Sequence, residues 1–376
     1  MLDARDSARM AQALRLAERG LYGTSPNPRV GCVLVRDGDV VGEGWHERAG
    51  EPHAEVHALR EAGGAARGAT AYVTLEPCSH HGRTPPCAEA LVEAGVARVV
   101  VATQDPNPQV AGQGIEKLRA AGIEVECGLM EAEARELNIG FFARMTRGMP
   151  WVRSKIAMSL DGRTALGNGK SQWITGDAAR QDVQRWRARS CAVLTGINTV
   201  LADDARLDVR SVDTGRQPLR VVLDSGLQMP LSARMLQPIS TPAGGSGTGG
   251  EGRVLIYSAV QDMEKSVALE RAGATVCALP DGNGQVDLPA VLCDLAQRGC
   301  NEVLVEAGST LNGALLRAGL VDELLLYVAP QLLGDAACGM AQLGELTSLD
   351  QRVNLKWQDV RQVGADLRIS VKVEKG

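Results

Sequence analysis

The stretches EPHAEVHALR (51–60) and TLEPCSHHGRTPPC (74–87) hold four of the chain's five histidines and two of its nine cysteines. The fifth histidine, His46, lies just upstream. Histidines that merely fill cores would be dispersed along 376 residues, so the crowding points to a metal site. A catalytic zinc takes three N or S donors and keeps a fourth position open. His53, Cys78 and Cys87 would supply that set. Pro52 suits the first turn of a helix and places His53 near its N-terminus. Cys78 follows the strand-like AYVTLEP (71–77), and Cys87 follows Pro85-Pro86 at the next helix start. Helix N-termini favour thiolate, the form a zinc ligand takes. Glu55, two residues beyond His53, is placed to carry protons to and from a metal-activated water.

Three other readings compete on these residues alone. His53 and His57, at i and i+4, match a two-histidine metal pair, although Glu55 sits midway between them rather than beside one. A purely structural zinc would recruit His80 or His81 as a fourth ligand. Coincidence is the third.

Outward from the cluster, the chain is long enough for two domains. It is 44% hydrophobic and 23% charged, but only 3% aromatic, so its cores must be built from Ala, Val and Leu. The net charge of −5, with no basic run, argues against a nucleic-acid partner, which would need a phosphate-tracking patch and stacking aromatics. A small anionic substrate remains allowed, because a few local arginines suffice. No apolar run approaches 18 residues, and the N-terminal stretch reads as an amphipathic helix over Asp3 to Gly20 rather than a signal peptide, so no membrane partner is expected. An odd cysteine count, with Cys32, Cys127, Cys191 and Cys277 inside apolar strands, predicts buried thiols and a cytoplasmic setting.

The first half alternates strand and helix. VGCVLVRDGDVVGEGW (30–45) reads as two strands joined at Asp37-Gly38. Helix 52–62, strand 70–76, a helix from near Pro86, strand 97–103, helix 112–121, strand 123–127 and helix 131–144 follow. The pattern predicts an α/β domain with a mostly parallel sheet. TRGMP (146–150) marks the boundary. Beyond it come strand 151–159, helix 177–188, and strands 191–195, 219–223, 253–257, 274–278, 301–305 and 322–329. TPAGGSGTGGEG (241–252) reads as a flexible loop. Glu302 to Val305 run into Gly308-Ser309-Thr310, where a helix opens, a junction fit to hold a cofactor phosphate. Glu306 stands at the strand's C-terminal end, where ligands bind in such sheets.

The order H-x-E, then P-C and a second cysteine, is that of zinc hydrolytic deaminases, and the chain resembles the cytidine-deaminase superfamily. It departs from the usual C-x-x-C, because eight residues separate Cys78 and Cys87. The long PCSHHGRTPPC loop (77–87), with PNPRVGCVLV (26–35) and GEGWHERAGEPHAEVHAL (42–59), is similar to the deaminase half of the bifunctional deaminase/reductases of riboflavin biosynthesis. SKIAMSLDGRTA (154–165), KSQWIT (170–175), NTVLADDARLDVR (198–210), RVVLDS (220–225) and the 306–314 junction resemble the reductase half of the same family.

That resemblance implies an α/β protein with an N-terminal cytidine-deaminase-like three-layer domain, 1–147, and a C-terminal dihydrofolate-reductase-like domain, 148–376. It implies zinc (Zn2+) on His53, Cys78 and Cys87, Glu55 as proton shuttle, no metal role for His57, and Asn27 against the substrate. It implies NADPH along Ala157, Trp173, Thr199, Asp203, Ser225, Gly308, Ser309, Thr310, Leu311, Asn312, Gly313 and Ala314. Ser171, Arg187, Leu207, Arg210 and Glu306 would hold the substrate, with Lys155 near the reactive centre. The expected partner is a small phosphorylated pyrimidine, and the expected assembly a homo-oligomer. Where the family usually reads proline and threonine, this chain has Ala205 and Asp208. An acid two residues from Arg210 either weakens phosphate attraction or faces solvent. A deaminase of free nucleosides or nucleic-acid bases, and a zinc-stabilised scaffold protein, are the alternative readings.

Overall fold

Asp3 starts the first helix by a reciprocal cap: its carboxylate accepts from the backbone of Arg5 and Asp6, and the Asp6 carboxylate accepts from the backbone of Asp3. The computed structural model describes residues 2–79, 86–108, 110–239 and 253–375. His80, His81 and the glycine-rich 241–252 lie outside the described residues. The chain divides into two compact units, Met1–Met149 and Pro150–Gly376.

The first unit runs α1 (Ala4–Arg19), β1 (Gly31–Arg36), β2 (Asp39–Trp45), α2 (Ala54–Ala62), β3 (Thr70–Val73), α3 (Cys87–Ala94), β4 (Arg98–Val101), α4 (Gln113–Ala120), β5 (Glu124–Cys127), α5 (Glu131–Leu137) and α6 (Ile139–Arg147). Its sheet has the order β2-β1-β3-β4-β5. Side chains alternate across it with period two. Leu34, Val73, Val99 and Val101 pack with Ala58, Leu91 and Leu118 of α2, α3 and α4, whereas Val33, Tyr72 and Val100 pack with Met10 and Ala13 of α1. The result is three layers. The sheet is less parallel than the alternation predicts: β3-β4 and β4-β5 are parallel, but β1 pairs antiparallel with both β2 and β3. The opening hairpin, turning at Asp37 (φ 53°) and Gly38 (φ 92°), forces the first reversal.

Two further expectations are corrected. Helix 131–144 is broken into α5 and α6 at Asn138, a buried residue whose amide bonds both the backbone N–H and the C=O of Arg29. Cys127 is exposed rather than buried, because β5 is an edge strand.

Two glycines set the approach of α2 to the sheet. A Cβ at Gly42 or Gly44 would lie 2.2 or 2.3 Å from the backbone oxygen of Ala58 or Ala54. Spaced two apart, they open one face of β2, and the helix that carries His53 at its N-cap and Glu55 in its first turn rests directly on the strand backbone.

The second unit contains β6 (Trp151–Ser159), β7 (Arg163–Ala165), α7 (Asp177–Arg189), β8 (Ala192–Gly196), α8 (Ile197–Asp203), β9 (Leu219–Leu223), β10 (Val254–Ser258), α9 (Met263–Arg271), β11 (Ala274–Ala278), α10 (Leu288–Gln297), β12 (Glu302–Val305), α11 (Ser309–Arg317), β13 (Glu323–Ala329), β14 (Cys338–Gly339), β15 (Leu355–Val363) and β16 (Asp366–Val373). Nine strands form one sheet, β11-β10-β9-β8-β12-β6-β13-β16-β15. The seven expected from apolar runs are its parallel part, and runs such as Glu323–Ala329 are buried throughout, as strands covered on both faces must be. The antiparallel β15-β16 hairpin was not expected: β15 reads LKWQDVRQV and is almost wholly exposed at the sheet edge.

Candidate active sites

In the first unit, three donor atoms converge. The Nδ1 of His53 lies 3.3 Å from the Cys87 Sγ and 3.6 Å from the Cys78 Sγ. Tetrahedral zinc with bonds of about 2.0 Å to nitrogen and 2.3 Å to sulfur would set an N···S separation of roughly 3.5 Å. The donors therefore fit zinc in both chemistry and spacing. They are the one group of three metal-capable side chains found among the described residues. The backbone N–H of Cys87, at the start of α3, donates to the Cys78 Sγ at 3.3 Å. The Cys87 thiol leads the contacts that hold the Cys78 thiol well below its ordinary range, with His53 and this backbone N–H adding to it against the effect of burial.

Glu55 is 3% exposed, and burial raises its carboxyl above the ordinary range although the His53 charge pulls the other way. The raised carboxyl is a better proton acceptor than an exposed glutamate, which suits a group that must take up and pass on protons. Asn27 does not stand alone: its amide nitrogen lies 3.1 Å from the Nε2 of His46. The Nδ1 of His46 lies 3.1 Å from the Pro52 carbonyl oxygen, so Nδ1–H donates there and Nε2 accepts from Asn27. The His46 ring meets that of His53 edge-on at 5.2 Å. His57 stays outside the donor group, its buried Nε2 without a hydrogen-bond partner among the described residues.

Sequence reasoning missed Glu76, two residues before Cys78. Its buried carboxylate accepts from the backbone N–H groups of Asp105, Gly112, Gly114 and Ile115 at 2.9–3.2 Å. This fastens the end of the cysteine-bearing strand segment to the start of α4. No local spacing could have revealed it, since the donors lie about thirty to forty residues further on.

The second unit has an open cleft of about 1260 Å³ beyond the C-terminal ends of β8, β9 and β12. Lys155, Ala157, Ser171, Trp173, Arg187, Thr199, Asp203, Leu207, Arg210, Ser225, Glu306, Gly308, Ser309, Thr310, Leu311 and Ala314 line it. Asn312 and Gly313 do not. Asn312 is buried behind the helix face, accepting from Ser154 Oγ and donating to the carbonyls of Ala307 and Met340. A Cβ on Gly313 would strike the Gln342 backbone at 2.1 Å. Both face a neighbouring loop, not the cavity.

Glu306 and Arg187 form a bidentate pair, with Nε to Oε1 at 2.6 Å and Nη2 to Oε2 at 2.9 Å. Burial pushes Glu306 up, but Arg187, with Lys155 and Arg210, more than offsets it and holds the carboxyl low. Burial depresses the Lys155 ammonium despite Glu306. Gly308 caps α11 without a side-chain partner, so its first N–H groups are open to a ligand. Leu207 takes a left-handed backbone (φ 56°) and is buried. Asp208 is 2% exposed and so does not face solvent.

The fold and the two sites define a zinc-type deaminase joined to a reductase. The family model described as the cytidine and deoxycytidylate deaminase zinc-binding region matches residues 3–103, and the RibD C-terminal domain matches residues 150–369. The riboflavin biosynthesis protein RibD of Escherichia coli is 49% identical over 374 residues, covering 96% of this chain and 98% of that protein. That of Aquifex aeolicus is 41% identical, covering 98% of each. The solved RibD of Acinetobacter baumannii superposes with a TM-score of 0.89 at 48% identity over 99% of both chains. A diaminohydroxyphosphoribosylaminopyrimidine deaminase/5-amino-6-(5-phosphoribosylamino)uracil reductase from Thermotoga maritima gives 0.83 at 33%, covering 98% of this chain and 99% of its own. The chain belongs to the RibD family of bifunctional riboflavin-biosynthesis enzymes. It combines a deaminase and a reductase, whose chemistry calls for zinc and a nicotinamide cofactor.

Proposed function

We propose that residues 1–147 deaminate 2,5-diamino-6-(5-phosphoribosylamino)pyrimidin-4-one and that residues 148–376 reduce the ribosyl group of the product to a ribityl chain with NADPH. The observation that carries the first step is a buried Glu55, its carboxyl raised by burial, two residues from His53 of the His53, Cys78 and Cys87 donor group. Zinc, when bound there, lowers the pKa of water toward neutrality. Glu55 takes one proton of the attacking water and gives it to the ring nitrogen, then takes the second from the hydroxyl now on the ring carbon and gives it to the amino group, which departs as ammonia. Asn27, held by His46, orients the substrate over the site.

NADPH supplies the hydride for the second step. Gly308 to Leu311 and Ala314 at the open end of α11, with Ala157, Trp173, Thr199, Asp203 and Ser225, hold the cofactor. Lys155, close enough to feel the charges of Glu306 and Arg187, orients the sugar, and Ser171, Leu207, Arg210 and the Arg187–Glu306 pair position the rest of the substrate. Nine free cysteines favour a reducing, cytoplasmic setting, and none of the described helices is long and apolar enough to cross a membrane. Leu355, Trp357 and Val360, exposed on edge strand β15, favour a homo-oligomer.

A coupled assay tests the reading. Given the diamino substrate alone, the protein should release ammonia and accumulate the 5-amino-uracil product. Added NADPH should then be oxidised in step with ammonia release, and faster than NADH at equal concentration. Ammonia release without any NADPH oxidation on the deaminated product would refute the second half of the proposal.

A further inference from the structure

Of the two arginines expected to hold the substrate, Arg187 is already engaged. Arg187 gives its Nε and Nη2 to Glu306 and its Nη1 to the backbone oxygen of Asp208, at 2.6–3.0 Å. Two other arginines on the cavity wall, Arg206 and Arg210, differ. Each meets one carboxylate, that of Asp208, through its Nε: Arg206 in a hydrogen bond to Oδ2 at 3.2 Å, and Arg210 as an ion pair to Oδ1 at 3.4 Å, an oxygen that accepts no hydrogen bond among the described residues. Their Nη groups make no other ion pair or hydrogen bond among the described residues. The segment that carries them is fixed from behind. Gln217 pairs with both backbone groups of Val209, and Gln184 accepts from the Arg210 backbone.

We infer that Asp208 is a positioning residue of the reductase, whose buried carboxylate holds Arg206 and Arg210 by their Nε atoms so that their Nη ends form the seat for the substrate's phosphate. The inference rests on the proposed reductase reading and deepens it. It assigns Arg206, which no sequence pattern singled out, to the phosphate, and leaves Arg187 to hold Glu306. A guanidinium presents two N–H groups at its Nη end in a plane that matches two phosphate oxygens. Arg210 is largely exposed and would otherwise sample many rotamers, so fixing it before the substrate arrives lowers the freedom lost on binding. Asp208 also subtracts charge from the seat, but Arg220 stands close enough to feel it, and with Arg206 and Arg210 the local balance stays positive.

The test uses the full-length protein and the 5-amino-6-(5-phosphoribosylamino)uracil reaction, with inorganic phosphate as competing probe. Arg206→Gln should raise KM for this substrate about tenfold, the loss expected for one charge-assisted contact. Asp208→Asn should raise it about three- to tenfold, because the amide has no charge to pair with Arg210 and offers an acceptor at only one of the two oxygen positions. In both variants kcat and the KM for NADPH should stay within about twofold, and inhibition by phosphate should weaken in parallel, as expected when only binding of the phosphate is lost. Deamination by the same preparation reports that the chain is folded. If Asp208→Asn does not fold, Arg206→Gln alone decides. Unchanged KM in both variants overturns the inference, and so does a lower KM in Asp208→Asn, which would make Asp208 a competitor of the phosphate. Arg210→Gln separates the two levels. A raised KM there, with Arg206→Gln silent, sinks the inference alone, whereas silence in both also sinks the assignment of this cavity to the phosphorylated substrate.

Discussion

Two glutamates in the first unit are equally buried and chemically opposite. Glu76 is surrounded by four backbone N–H donors and is used up as a fastening. Glu55 has no such cage, and burial leaves its carboxyl ready to hold a proton next to the metal donors. Replacing Glu55 by Gln keeps shape and polarity but removes proton transfer. Deamination should fall by about 10²- to 10⁴-fold, the range general acid–base catalysis contributes. Bound zinc, read by elemental analysis, should remain near its wild-type level, and NADPH oxidation on the deaminated substrate should persist. Joint loss of both activities would contradict two separate sites. At this scale the metal donors were legible because their spacing is local, whereas the run Gly308 to Ala314 was read too evenly. A helix turns about 100° per residue, so one face of α11 lines the cavity while Asn312 and Gly313 look away from it.

Elements were legible where apolar runs or periodic stripes mark them, and illegible where a single polar residue decides. The apolar strands of the second unit appear within two residues of their expected places, but nothing in the 131–144 pattern announces that Asn138 leaves the helix to pair with Arg29. The docking of α1 depends on a similar polar choice. Asp6, inside its cap, also accepts from the Tyr72 hydroxyl of β3 and the Arg98 guanidinium of β4, both at 2.8 Å. The Arg98 hydrogen bond, with the Asp3 backbone and Tyr72, holds its carboxyl down to about 2. A folded-state pKa below the unfolded value means the stabilisation is fully present above about 4 and is lost as pH falls toward about 2. Wild type should exceed Asp6→Asn by about 2 kcal/mol at neutral pH. The gap should shrink in urea melts at pH 3. A gap that is constant across this range would show that the carboxylate charge is not what Asp6 contributes.

At the scale of the molecule, each unit has its own sheet and its own site. The five-stranded sheet closes on α2, α3 and α4 around Leu34, Val73 and Val101, and the nine-stranded sheet builds a separate core around Val222, Ile256 and Leu304. The metal donors come only from residues 53–87, and every residue lining the reductase cavity comes from 155–338. No described residue of one site belongs to the other. Stripping zinc from the whole protein with a chelator should therefore abolish deamination and leave NADPH oxidation on pre-deaminated substrate within about twofold, since catalytic zinc acts on the water it binds. Loss of the metal should also lower the midpoint of one thermal transition, because three side chains that held it are left as a buried, partly charged cluster. Returning zinc should restore deamination. If chelation instead removed both activities together, and zinc restored both, the metal would be holding the two units in one cooperative structure, and their separate cores and sites would not make them independent.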